Sequence, residues 1–259
     1  MTRYAAMFER LRARAEGALG AFVMLGDPDP ASSAAILDAL VESGADMLEV
    51  GIPFSDPVAD GPVIQAAAVR ALAAGTRTAD CFRLLSEFRT RHPDVPVGIL
   101  TYANLVMARG RDAFYAAAAE ARVDSVLVAD VPLIEAQPFL AAARSAGVAP
   151  VLIAAPNTPP ERLARIAAEG AGYTYCVARA GVTGAHSEVR FAGEVIAALV
   201  AAGAPPPVLG FGISEPEHVR LALRAGAVGL ISGSAIVDRI ARGEDVRGFV
   251  AEMKRATRL

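Results

Sequence analysis

Short apolar runs alternate with amphipathic stretches along the whole chain. Runs at 21–26, 47–52, 96–101, 125–130, 150–154, 173–178, 208–212 and 229–232 have the length of buried parallel strands, and a helical period separates each from the next. Several of the intervening helices end alike, on a glycine just past the last periodic residue: ESGAD from Glu42, SAGVA from Ser145, AEGAG from Ala168, AAGA from Ala201 and RAGAVG from Arg224. Their starts are as regular. Asp29 precedes Pro30, and Thr158 with Glu161 and Ser214 with Glu217 have capping-box spacing. Ahead of the first strand, Tyr4, Met7, Phe8 and Leu11 predict an amphipathic helix. Eight beats of strand and helix predict a single-domain (β/α)8 barrel over residues 1–259, with an extra N-terminal helix. A doubly wound open sheet is the alternative. Its first turn usually carries GxGxxG, whereas this chain has Gly26, Asp27, Pro28 and Asp29 there.

Composition narrows the class. At 259 residues and 54% hydrophobic the chain can bury a large core, and its formal charge of -3 is dispersed. No basic stripe is available to neutralise a nucleic-acid backbone. Cys81 and Cys176 lie too far apart in sequence for a CxxC pair and read as small buried residues in a reducing compartment. The first seventeen residues are interspersed with Arg and Glu and lack the apolar core of a secretory signal. The longest uncharged stretch, 195–214, is broken by Gly203, Pro205–Pro207, Gly210 and Gly212, so it does not read as a membrane span. A cytoplasmic protein is expected, with neither nucleic acid nor membrane as a partner.

Two acids then stand out. Glu49 lies inside an apolar strand, sharing a face with Met47 and Gly51, and Asp60 follows on a turn-rich loop. Each has a structural alternative: Glu49 paired to an arginine or backbone amide, Asp60 favoured electrostatically near a helix start. The segments after strands two and six are long enough to do more than connect. The second, ARAGVTGAHSE from Ala178, reads as a mobile lid. Glycine turns GFGIS at 210–214 and ISGSA at 231–235 precede helices at the seventh and eighth strands, where barrels often hold phosphate. Phe22, Leu100, Leu127 and Ile153 fall near strand ends and could line an apolar pocket. Lys254, the one lysine, lies in a charged C-terminal helix, which argues against a Schiff base. His92, His186 and His218 have no metal-ligand spacing, so no metal site is expected. Carboxylates remain as the acid and base, with Tyr173 and Tyr175 as candidate helpers.

The runs LEVGIPFSDPVADGP from Leu48, YANLV from Tyr102, DSVLVADVP from Asp124, GYTYCVARAGVTG from Gly172, GFGIS from Gly210 and ISGSAIV from Ile231 resemble the tryptophan synthase alpha subunit, in order along nearly the whole chain. The resemblance implies a lyase that cleaves indole-3-glycerol phosphate to indole and glyceraldehyde 3-phosphate without a cofactor of its own. By residue matching, Glu49 would be the acid and base and Asp60 would hold the indole N–H. Gly184, Gly212, Gly233 and Ser234 would hold the phosphate; Phe22, Leu100, Tyr175 and Phe211 would enclose the indole; Thr183 would close the site against Asp60. The implied partner is a pyridoxal phosphate-dependent beta subunit in an αββα assembly, met by Asp56, Pro57, Asn104 and Pro132. Ala178 and Ala180 depart from the serines that relatives often carry around Arg179. A stand-alone indole-3-glycerol phosphate lyase and an inactive barrel that only activates a partner are the alternative readings.

Overall fold

The computed structural model of the chain describes residues 1–177, 185–210 and 212–258, with the side chains of 185–192 left aside. The apolar runs become β1 (Ala18–Met24), β2 (Met47–Gly51), β3 (Val97–Thr101), β4 (Ser125–Val128), β5 (Ala149–Pro150), β6 (Leu152–Ala154), β7 (Thr174–Val177), β8 (Pro207–Gly210) and β9 (Gly229–Ser232). All pair in parallel in one sheet, ordered β5-β4-β3-β2-β1-β9-β8-β7-β6.

The fifth expected strand is therefore two pieces. Pro150 has no N–H to give to a ladder, and at this point the chain changes partner: β5 pairs with β4 and β6 with β7. Val151 between them donates to Val126 O at 3.1 Å, so the two pieces form one interrupted stave that closes a (β/α)8 barrel. β1 also departs from expectation, starting at Ala18 and not at 21. Ala18 N bonds Val228 O, and Leu19 N bonds the Asp46 carboxylate at 2.9 Å, which extends the ladder backwards. The strand ends at Met24, before a turn at Gly26 (φ +80°) that packs against Thr76.

Alternation along the strands sorts two apolar layers. Leu19, Val23, Leu48, Val50, Ile99, Leu209 and Leu230 face outward into the core beneath the helices. Phe22, Met24, Met47, Leu127, Tyr175, Val208 and Ile231 face inward. The N-terminal helix α1 (Arg3–Ala13) adds Tyr4, Met7 and Leu11 to this inner layer and stoppers the barrel. Gly98 lets that stopper seat, since a Cβ there would lie 2.6 Å from Ser125 Oγ and 3.0 Å from the Tyr4 hydroxyl oxygen.

The surrounding helices are α2 (Pro30–Glu42), α3 (Pro62–Ala73), α4 (Thr78–Arg91), α5 (Ala103–Arg109), α6 (Arg111–Glu120), α7 (Gln137–Ser145), α8 (Pro160–Glu169), α9 (Ala185–Ala201), α10 (Pro216–Arg224), α11 (Ser234–Ala241) and α12 (Arg247–Arg255). Asp29 caps α2 as expected, accepting from Ala31 N and Ser32 N. The two capping boxes do not form. Prolines at the first helical position start α8 and α10 later than the hydroxyls predict; Thr158 Oγ1 accepts from Ala155 N instead, and Ser214 meets His218. Gly44, Gly147, Gly203 and Gly226 take φ of +69° to +109° at the expected stops, but in AEGAG the positive φ falls on Gly172 and not Gly170.

Charged groups tie the N-terminal end of the barrel together. Arg89 is buried, its Nη1 donating to the carbonyls of His92, Pro93 and Val95 and its Nη2 to Asp124 at 2.9 Å. Asp124 also pairs with Arg3 at 2.9 Å. Lys254 bonds Asp46 at 2.8 Å and Glu16 at 3.1 Å, so the lysine is occupied at the end of β2 opposite Glu49 and Asp60. Among the described residues no helix is long and apolar enough to cross a membrane, and no group of His, Cys, Asp or Glu is arranged to hold a metal ion.

Arg89→Met should cost about 3–5 kcal/mol, because the carbonyls and carboxylate around Arg89 stay buried when their donor is gone. Urea unfolding of the wild type and the variant at pH 7 measures the difference.

Candidate active site

β2 delivers Glu49 to the barrel interior by alternation alone, between Met47 below and Gly51 above. The residue is 1% exposed, and its partner is the Tyr173 hydroxyl, which donates to Oε1 at 2.7 Å. No arginine meets it among the described residues, so the structural alternative of a buried ion pair does not describe this acid. Burial pushes its carboxyl up from 4.5 to about 7; the Tyr173 hydrogen bond opposes the rise and the charge of Asp60 adds to it. Burial first, then the Glu49 charge, holds the Tyr173 and Tyr175 phenols well above their ordinary range, so both remain neutral donors.

Asp60 ends the loop that follows β2. Its N–H donates to Pro57 O at 3.1 Å, and its carbonyl accepts from Gln65 Nε2 at 2.8 Å. α3 is capped by Gly61, not by Asp60, which leaves the carboxylate free of helix-start duty. Burial raises its pKa, and the Tyr102 hydroxyl beside it lowers it. Behind the loop, Arg70 on α3 forks onto the buried Asp27 carboxylate at 2.7 and 2.8 Å, fixing α3 against the turn after β1.

The two acids share a cavity of about 360 Å³. Phe22, Leu100, Leu127 and Ile153 make its apolar walls, as their strand-end positions predicted, and Tyr175 joins them. Gly212, Gly233 and Ser234 line its mouth, where Gly233 caps α11 and the first N–H groups of that helix have no acceptor within it. Ser232 Oγ donates to Ile213 O at 2.7 Å and ties the two glycine turns together. The lining also takes Ala59, Gly61, Ile64, Ala129 and Val177, which sequence reasoning did not assign, and Ile213, Ser214, Ile231 and Ala235 from the two glycine turns that it had singled out only as turns. Alternation by two from Gly233 would have placed Ile231 on the inner face; Ile64 reads from sequence as ordinary helix core. Thr183, Gly184, Phe211 and residues 178–184 of the expected lid lie outside the described residues; its last four residues, from Ala185, form the start of α9 and not a loop. Asp56, Pro57, Asn104 and Pro132 lie outside the cavity, Asp56 and Pro57 on the loop after β2, Asn104 in the first turn of α5 and Pro132 on the loop after β4; Asp56, Asn104 and Pro132 are exposed. His92 bonds Asp38 and His218 meets Ser214.

A parallel (β/α)8 barrel with one buried and one half-buried carboxylate in an apolar chamber, and a helix start at its mouth, has the build of a barrel enzyme. Residues 8–258 match the family Tryptophan synthase alpha chain. The alpha chain of Shewanella oneidensis is 56% identical over 91% of this chain and 85% of its own, and that of Serratia proteamaculans is 52% identical over the full length of both. Among solved structures, tryptophan synthase of Mycobacterium tuberculosis superposes with a TM-score of 0.91 at 32% identity, covering 100% of this chain and 99% of the other. Subunit alpha of Legionella pneumophila does so with 0.90 at 30%, covering 99% and 98%. The chain belongs to the tryptophan synthase alpha chain family, lyases of tryptophan biosynthesis that cleave indole-3-glycerol phosphate.

The raised Glu49 pKa has a stability consequence. Between about 4.5 and about 7 the native state keeps a proton that the unfolded chain has released, so stability falls as pH rises through that window. Glu49→Gln escapes this loss. Its stability relative to wild type should grow by about 3 kcal/mol between pH 4.5 and pH 8, read from urea unfolding at each pH.

Proposed function

We propose that Glu49 moves the protons of the cleavage and that Asp60 holds the indole nitrogen, within one barrel domain spanning residues 1–259. The observation that carries this reading is a carboxyl near neutrality, buried in the same apolar cavity as a second acid. Protonated Glu49 gives its proton to indole C3. The ring then carries positive charge at nitrogen, which the Asp60 carboxylate stabilises while accepting the N–H. Glu49, now a carboxylate, takes the proton of the neighbouring glycerol hydroxyl; the carbonyl forms, the C–C bond breaks, and its electrons return to the indole ring. The protonated ring is the electron sink, so this subunit works without a cofactor.

Phe22, Leu100, Tyr175 and Phe211 enclose the indole in this reading, and Thr183 closes the site against Asp60. Gly184, Gly212, Gly233 and Ser234 hold the phosphate through backbone N–H and hydroxyl groups, a role supported by the start of α11 at the cavity mouth. The partner is a beta chain carrying pyridoxal phosphate, in an αββα assembly in the cytoplasm, met by Asp56, Pro57, Asn104 and Pro132. The apolar exposure of the same loops supports a partner over the stand-alone lyase: Val58 is 80% exposed and Ile134 77%. Both acids being in place weighs against an inactive barrel.

Indole release from indole-3-glycerol phosphate should fall by about 10²–10⁴ in Glu49→Gln and by about 10²–10³ in Asp60→Asn. Wild-type rates in either folded variant would remove that residue's role. Purified beta chain added to the wild type should raise the rate; an unaffected rate would remove the reason to regard the chain as a subunit.

A further inference from the structure

The loops after β2, β3 and β4 are stitched to one another by hydrogen bonds that no element of the barrel requires. Tyr102 occupies the residue before α5, where Ser, Asp or Asn would ordinarily cap the helix, yet its side chain caps nothing. It is buried and crosses to the neighbouring loop instead, its hydroxyl accepting from Ala59 N at 3.3 Å and its ring lying 5.4 Å from that of Phe54. The cap of α5 is supplied from the other side: Ala103 N donates to Asp130 Oδ1 at 2.7 Å, across 27 residues of sequence. Ala59 precedes Asp60, Ala103 precedes Asn104, and Asp130 lies two residues before Pro132. Each bond thus joins a residue beside a proposed partner contact or a proposed catalytic acid to the next loop.

We propose that Tyr102 and Asp130 are positioning residues that couple the partner-facing loops to Asp60, so that a beta chain seated on the loops after β3 and β4 sets the orientation of the Asp60 carboxylate. This rests on the catalytic and partner assignments above. Tyr102 acts on Asp60 in two ways. By accepting from Ala59 N it anchors the last turn of the β2 loop, and its hydroxyl, beside the Asp60 carboxylate, opposes the rise in pKa that burial causes and so favours the ionised form that receives the indole N–H. The Asp60 charge in turn raises the pKa of Glu49 on β2 and of Tyr175 on β7, and Asp130 acts on Tyr102 in the same direction, so no cation enters the set among the described residues. Asp130 transmits from the other side, since it holds the first residue of α5 and thereby the backbone from which Tyr102 springs.

The experiment measures indole release from indole-3-glycerol phosphate between pH 5.5 and 9, with and without saturating purified beta chain, for wild type, Tyr102→Phe, Asp130→Ala, Asp130→Asn and Asp60→Asn. Tyr102→Phe keeps the ring on Phe54 and removes only the hydroxyl. It should lower kcat by about tenfold with KM within about twofold, and move the acid limb of kcat/KM to higher pH, because Asp60 loses the donor that keeps it ionised. Asp130→Ala should cut the fold-activation by the beta chain by about tenfold, and Asp130→Asn, whose amide oxygen still accepts, should restore most of it. An unmoved acid limb with a lowered Tm in Tyr102→Phe would overturn the inference in favour of plain packing. So would wild-type kcat, pH profile and activation in both Tyr102→Phe and Asp130→Ala. Equal losses in Asp130→Asn and Asp130→Ala would overturn the role of the accepting oxygen. Wild-type activity in Asp60→Asn would instead overturn the catalytic reading beneath it, and a wild type indifferent to the beta chain would overturn the partner reading.

Discussion

A carboxylic acid held dry inside an apolar barrel is the constraint to which the rest of the structure answers. Ionised Glu49 loses the solvation of water and, among the described residues, recovers one hydrogen bond, from Tyr173 at 2.7 Å. The interior around it is sealed from below by Tyr4, Met7 and Leu11 of α1 and walled by inward residues of the strands. Water enters from the C-terminal end alone in such a barrel, which is also where a substrate enters. A longer side chain at Gly98 would lift α1 from its seat, and a cation beside Glu49 would pull its pKa back to the ordinary range. The sealed floor and a neutral donor in place of a cation together keep the acid near neutrality, where it can both give and take a proton.

Much of this was legible because strand alternation is strict and local. The placing of Glu49 with Met47 on the inner face needed no tertiary information, and neither did the glycine stops at Gly44, Gly147, Gly203 and Gly226. The roles of Glu49 and Asp60 came from the family resemblance and not from spacing. What stayed hidden depended on pairs distant in sequence. Tyr173 and Glu49 are 124 residues apart and meet across the barrel, so no window along the chain shows the bond that tempers the acid. The split of the fifth strand is a closure effect: the ladder must change partner where Pro150 withholds its donor, and a run of apolar residues does not carry that information.

The failed capping boxes show a local rule losing to another local rule. Thr158 and Ser214 have the right spacing to Glu161 and Glu217, but Pro160 and Pro216 already fix the first helical φ and need no donor satisfied. The hydroxyls are thereby released for other work, Thr158 in its own turn and Ser214 at the mouth of the cavity. At α5 the exchange goes the other way, since the residue before the helix is a tyrosine and the cap arrives from Asp130 on the next loop. On the face that carries the chemistry, α2 is finished by its own Asp29, whereas α5 takes its cap from the neighbouring loop.

The two ends of the barrel handle charge in opposite ways. At the N-terminal end, Asp124 is shared by Arg3 and Arg89, and Asp46 is held by Lys254 and the Leu19 amide; each carboxylate has a cation and a fixed geometry. At the other end, Glu49 and Asp60 have tyrosine hydroxyls as partners and no cation among the described residues. A cation beside a buried acid opposes the rise in pKa that burial imposes, as Lys254 does at Asp46, which suits a structural role and spoils a catalytic one. Both Asp46 and Glu49 lie on or beside β2, three residues apart, yet one is locked to a lysine and the other left near its titration point. The short strand between them therefore separates stability from reactivity: fixing the floor with ion pairs permits the interior above it to keep an acid that no ion pair holds.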